Sequence, residues 1–241
     1  MKFPTLTLVL MIAAAAVAAE PVAKISHDTF DFGKVVQNQT TTHSFWIKSI
    51  GSDTVRISEV VPGCGCTQMP LLDSVLGPGD STRLDIIFAT RSFVGHVNKR
   101  PYVVANVPTG KVGMSIFAEI LTDPEAAMPV VIRPAKLDVS QFTSQPRRRA
   151  TFQVVNKSAQ DLEIHLLDTA FKSFDVELPA RIKAGATGEG VIIVKKDKVP
   201  TAFKESFTFE VVGAEARDIY TLPIDRMVHV KDSVAAPSTP R

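Results

Sequence analysis

Six apolar positions recur at one constant spacing, and that recurrence restricts the chain to a duplicated fold. Phe30, Phe32, Phe45, Ile47, Val55 and Ile57 are matched by Leu137, Val139, Phe152, Val154, Leu162 and Ile164, each 107 residues later and with no gap. A polar turn follows the same rule, with Ile50-Gly51-Ser52-Asp53 answered by Lys157-Ser158-Ala159-Gln160. After one deletion, Leu76 to Asp80 and Ile86 line up with Ile182 to Ala186 and Ile192 at an offset of 106. A unit of about 100 residues is the size of an immunoglobulin-type sandwich, whereas solenoid repeats recur every 20 to 45 residues or so.

Within each unit the apolar residues alternate with polar ones, as in Phe45 and Ile47, Leu84, Ile86 and Phe88, Met114, Ile116 and Ala118, and Phe207, Phe209 and Val211. Successive strand side chains point to opposite faces, so this pattern predicts half-buried β-strands. Clusters of Gly, Pro, Asn and Asp punctuate the runs, and helical periodicity is nearly absent. With 45% apolar and 22% charged residues over 241 positions, the chain can bury two ordinary cores. The predicted class is all-β: two tandem immunoglobulin-like sandwiches, at residues 22–121 and 129–231, joined by a linker at 122–128 and followed by a disordered tail at 232–241.

Residues 1–19 read as a secretory signal peptide, with Lys2, an apolar run from about Leu6 to Val17, and small residues that place cleavage after Ala18 or Ala19. The run is shorter than the roughly 20 residues a membrane-spanning helix needs, so a retained anchor is the weaker alternative. No later stretch is long enough to span, and the mature chain is expected to be exported, to the periplasm, the cell envelope or the exterior. The net charge is +2 and falls to +1 without Lys2, and aromatic residues make up 7%. Neither figure suits a nucleic-acid partner.

The stretch Phe30-Asp31-Phe32-Gly33-Lys34-Val35, the strand carrying Phe45, the segment Val61-Pro62-Gly63-Cys64-Gly65-Cys66-Thr67 and the turn Leu76-Gly77-Pro78-Gly79-Asp80 resemble the bacterial DUF1573 family. That resemblance covers the first unit. It implies an exported sandwich related to the ASH and major-sperm-protein-like branch, and it implies no activity. The second unit has Leu137-Asp138-Val139-Ser140 in place of Phe-Asp-Phe-Gly and no Cys-Gly-Cys.

Cys64-Gly65-Cys66 is the feature with most chemical scope. In an oxidising compartment the pair reads as a local disulfide, small buried thiols, a redox pair or a soft-metal site such as Cu(I). The metal reading needs further ligands, for which Met69 and His43 are the candidates; each is equally readable as core filler or a satisfied strand side chain. No catalytic serine elbow, phosphate loop, zinc-protease helix or calcium loop occurs, the histidines show no ligand spacing, and Asp28 and Asp31 read as turn residues. Arg147-Arg148-Arg149 falls where the first unit has Thr40-Thr41-Thr42, at the start of a strand, as solvated edge charge or an anion-binding patch. Trp46 is either an exposed binding aromatic or a cover for the sheet or junction. Asn38-Gln39-Thr40 and Asn156-Lys157-Ser158 fit the glycosylation pattern, which carries no meaning in a bacterium.

These features predict a non-enzymatic binding or scaffold protein, without cofactor, whose partner is another envelope protein or a surface polymer. Thiol-redox or Cu(I) handling at Cys64 and Cys66, and a two-domain periplasmic chaperone, are the competing expectations.

Overall fold

A computed structural model describes residues 19–143, 145–167, 172–214 and 217–229. The expected leader up to residue 18 and the expected tail at 232–241 lie outside the described residues. The first half forms β1 (Ala23–Ile25), β2 (Thr29–Val36), β3 (Thr40–Ser49), β4 (Val55–Val61), β5 (Thr67–Gln68), β6 (Val75–Leu76), β7 (Ser81–Ala89), β8 (Gly95–Lys99), β9 (Tyr102–Ala105), β10 (Lys111–Gly113) and β11 (Ser115–Leu121). The second forms β12 (Val130–Arg133), β13 (Leu137–Asp138), β14 (Arg149–Asn156), β15 (Leu162–Leu166), β16 (Phe174–Glu177), β17 (Arg181–Ile182), β18 (Thr187–Val194), β19 (Phe203–Val212) and β20 (Arg217–Arg226).

Each half closes over its own core. In the first, the sheet β1-β3-β7-β5 covers β10-β9-β4-β6 together with β2, β11 and β8, and Phe32, Phe45, Ile47, Leu84, Ile86 and Phe88 fill the space between. In the second, β12-β14-β18-β16 covers β17-β15-β19-β20, around Val139, Phe152, Val154, Phe207 and Phe209. The duplication extends to the hydrogen-bonding register. Ile25 opposite Ile47 becomes Ile132 opposite Val154, Val55 opposite Leu76 becomes Leu162 opposite Ile182, and Thr67 opposite Phe88 becomes Phe174 opposite Val194. Asp31 Oδ1 accepts from the Gly33 amide at 2.7 Å, and Asp138 Oδ1 accepts from the Ser140 amide at the same distance, so one Asx turn is made twice.

The lobes are joined edge to edge. β2 lies parallel to β20, with Lys34 opposite Tyr220, and this seam fuses strands of both halves into one eight-stranded sheet. Thr221 Oγ1 donates to the Phe32 carbonyl at 2.6 Å. Lys34 is paired with Asp218, lies 3.9 Å from Glu119 and sits 5.4 Å over the Tyr220 ring. Glycine is required at the seam, because Gly33 has φ +60° and a Cβ there would fall 2.0 Å from the Ile219 carbonyl oxygen. A second contact forms where Ser206 Oγ accepts from the Thr42 amide at 2.8 Å while the Ser206 amide donates to Thr42 Oγ1 at 3.0 Å.

Within residues 122–128, predicted as a linker, a short 3₁₀ turn, Pro124–Ala126, is capped by Asp123, and Ala127 enters the second core. One expectation changes. The alternation around Phe207, Phe209 and Val211 predicts one buried face, yet Ser206, Thr208 and Glu210 are buried as well. Ser206 meets Thr42, Thr208 bonds Thr221 at 2.7 Å, and Glu210 pairs with Arg217. Polar partners, supplied in part by the other lobe, satisfy a face that the pattern assigns to water.

Candidate functional site

The Cys-Gly-Cys segment forms where a strand ladder opens. β4 pairs with β9 up to Val61 opposite Tyr102, and the next residues, Pro62 without an amide hydrogen and Gly63 with φ +77°, carry the chain away. It then crosses to the opposite sheet, where Thr67 pairs with Phe88. Between these points Cys64 and Cys66 are joined by a disulfide, with Cα atoms 5.2 Å apart. Arg91 donates to the Gly65 carbonyl at 2.8 Å, and the Cys66 carbonyl accepts from the Ala89 amide at 2.8 Å. Cys66 is buried in the first core, Cys64 is half-buried, and Gly63 and Gly65 are exposed. Bonded sulfurs are neither thiolate nucleophiles nor metal ligands.

Met69 and His43 lie on opposite sides of β7. His43 on β3 faces Ile86 on β7, and Met69 lies beyond β7, next to Gln68, which pairs with Ile87. A whole strand stands between them, which at two strand spacings is about 10 Å. The His43 ring stacks on Phe30 at 3.5 Å between centroids, and its Nε2 lies 2.8 Å from that of His27. Such a pair needs one ring nitrogen protonated and the other bare. Among the described residues, no group of three or more His, Cys, Asp or Glu could hold a metal ion.

The divergence of β4 leaves a notch of about 460 Å³ lined by Pro62, Gly63, Asn98, Lys99 and Arg100. Extending the β4–β9 register past Val61 would set Gly63 opposite Arg100 and Cys64 opposite Lys99; instead the strands part, and Pro62 and Gly63, which lead into the disulfide turn, form one wall. Both charges in the notch are positive. On the outer face of the same sheet a shallow groove of about 510 Å³ runs over the seam, with Asp31, Lys34, His96, Asn98 and Phe117 among its lining residues.

Other residues singled out above act locally. Trp46 stands 46% exposed on the outer face of β3, opposite in sense to the buried Phe45 and Ile47. Arg149 begins β14, and Arg147 is exposed, while Arg148 Nε donates to the Val194 carbonyl at 3.0 Å. Asp28 Oδ1 accepts from Thr29 Oγ1 and Asp31 closes its Asx turn, both as turn groups. The sequence gives no sign of Arg226, which is 1% exposed and donates to the carbonyls of Val139, Arg147 and Val199 and to Gln141 Oε1. Burial pulls its guanidinium below the ordinary arginine value.

The fold and this loop define an all-β protein with two buried cores, the first bearing a disulfide-closed turn beside an open notch. Residues 23–120 match the family model of DUF1573, described as a protein of unknown function. No curated protein matches the chain. Among solved structures, the ASH/PapD-like domain 7 of human CEP192 aligns at 9% identity and a TM-score of 0.36, over 50% of this chain and 99% of that one. A protein of unknown function from Porphyromonas gingivalis W83 aligns at 10% identity and 0.33, over 84% and 99%. The titin domains z1z2, solved in complex with telethonin, align at 9% identity and 0.28, over 88% and 100%. Among the described residues, no helix is long and apolar enough to cross a membrane.

Proposed function

We propose that this chain is an exported, non-enzymatic binding or scaffold protein of the bacterial cell envelope, whose partner is another envelope protein or a surface polymer. One observation carries the reading: the two cores share one eight-stranded sheet, so edges and loops on both lobes are held at fixed positions relative to each other. Preorganisation of that kind reduces the ordering cost of binding. Export is supported by the leader-like residues 1–19 and by a bonded cysteine pair, which suits an oxidising compartment. The Cu(I) alternative needs Cys64 and Cys66 as free thiols with Met69 or His43 as a further ligand, whereas the two sulfurs are joined.

Fractionation of cells expressing the full chain, with N-terminal sequencing of the product, tests the address. A mature chain starting at Ala19 or Glu20 in the exported fraction is expected; an uncleaved cytosolic product contradicts it. Photo-crosslinking on intact cells tests the role, with a discrete envelope adduct expected. Smearing over many unrelated proteins, or turnover of a substrate by the purified chain, would overturn the reading.

A further inference from the structure

The large sheet ends differently on its two sides. At one margin stands β17, only two residues long, which offers almost no ladder to a newcomer. At the other stands β8, five residues long, which among the described residues pairs only with β11. The direction of its free groups follows from the register. The Met114 amide donates to the Pro101 carbonyl at 3.0 Å, and that pair continues the β8–β11 alignment in which Lys99 faces Ile116 and Val97 faces Ala118. Antiparallel strands alternate hydrogen-bonded and non-bonded pairs, so Gly95, Val97 and Lys99 bond β11. His96 and Asn98, with Arg100 just beyond the strand, therefore turn their N–H and C=O groups to the open side.

The second lobe shows what covers this edge when it is covered. Matching registers place Ser206 of β19 where the first lobe has Arg100, and the Ser206 amide is bonded to Thr42 of the first lobe. A second copy stacked head to tail would cover Arg100 with the residue equivalent to Thr42, which is Arg149. Two guanidiniums would then meet, so like charge disfavours self-stacking. The open edge is bordered instead by the notch, whose charged residues are Lys99 and Arg100, and by Val94, which is 65% exposed just before β8.

We propose that the free edge of β8 accepts an extended acidic peptide of a partner protein as an added strand, with its carboxylates at Lys99 and Arg100. The inference rests on the binding-scaffold reading and names its surface. Backbone bonds from His96, Asn98 and Arg100 hold the segment, Pro62 and Gly63 form the wall against which it lies, and the two cations select its charge.

The test uses the full mature chain with its disulfide intact and a fluorescein-labelled ten-residue peptide in which Glu-Glu and Val-Val pairs alternate, so that carboxylates fall on both faces of the added strand, as the successive Lys99 and Arg100 require. The controls are a Lys and Val peptide and a Glu and Val peptide interrupted by prolines. The Glu and Val probe should bind, slow amide exchange at His96, Asn98 and Arg100, and lose at least tenfold in affinity to the Lys99→Glu/Arg100→Glu chain. Asn98→Pro, which removes an amide that faces away from β11, should do the same without moving the unfolding transition; the charge variant keeps the test valid if the proline chain misfolds. Equal binding of acidic and basic peptides, protection mapped away from β8, absence of binding, or a β8-mediated dimer that excludes the probe would each overturn the proposal. A cellular crosslinked adduct that survives both variants would sink the β8 assignment and leave the scaffold reading standing.

Discussion

The two lobes share a register and differ in what their edges face. Where the second lobe runs one continuous strand, β19, the first is broken at Arg100 and Pro101 into β8 and β9. Where the second has Ser206 bonded to the other lobe, the first has exposed Arg100. Where the first has Gly33 pressed on Ile219, the second has Ser140, whose hydroxyl accepts from the Met227 amide at 3.0 Å. Duplication therefore preserves the interior pairings while the edges diverge, and in a sandwich the edges are what partners can use.

The largest expected difference lies at Arg226, whose counterpart by register is Ala118. Replacing Arg226 by Met strands three carbonyls and Gln141 Oε1, and should lower the urea-unfolding free energy by about 3–5 kcal/mol. A loss below 1 kcal/mol would show that these oxygens find other donors. Next comes the seam: Gly33→Ala should cost about 3 kcal/mol and split unfolding into two phases, because a Cβ has no room and φ is positive. Ser140→Ala at the matched position should cost only about 1 kcal/mol and leave one transition. Ser206→Ala removes bonds to Thr42 and should cost about 1–2 kcal/mol.

Replacing both Cys64 and Cys66 by Ser should cost about 1–2 kcal/mol, since the closed loop is so short, and should loosen exchange only near the notch. The second lobe contains no cysteine. The smallest effect concerns acid. Hydrogen bonds from Ser140, the side chain first and the backbone amide second, hold the Asp138 carboxyl below the ordinary aspartate value. Its contribution is complete above the unfolded-state value and is lost as pH falls through the lower folded value. Asp138→Asn should accordingly flatten the acid side of a stability profile slightly, and an unchanged slope would remove this contribution.

The sheet interiors were legible because burial imposes period two: Phe45, Ile47, Leu84 and Ile86 all sit in the core to which alternation assigns them. The 107-residue offset was readable for the same reason, and it carries over into strand register. The seam was not legible, since Gly33 and Ser206 look like ordinary turn and strand residues until the other lobe is placed against them. Arg226 was equally silent, because a lone arginine after an apolar run reads as a solvated strand end. At the Cys-Gly-Cys turn the sequence left bonded, buried, redox and metal states open. Spacing along the chain says nothing of whether β7 stands between His43 and Met69.

Residue-resolved amide exchange at Ser206 and Arg100 bears most directly on the claim that one edge is covered and its twin is open. Slow exchange at Ser206, where the amide meets Thr42 Oγ1, with exchange at Arg100 close to that of a free peptide, is the expected result. Equal protection at both positions would mean that β8 is already occupied or that the lobes are not joined as described, and the binding surface proposed on it would go.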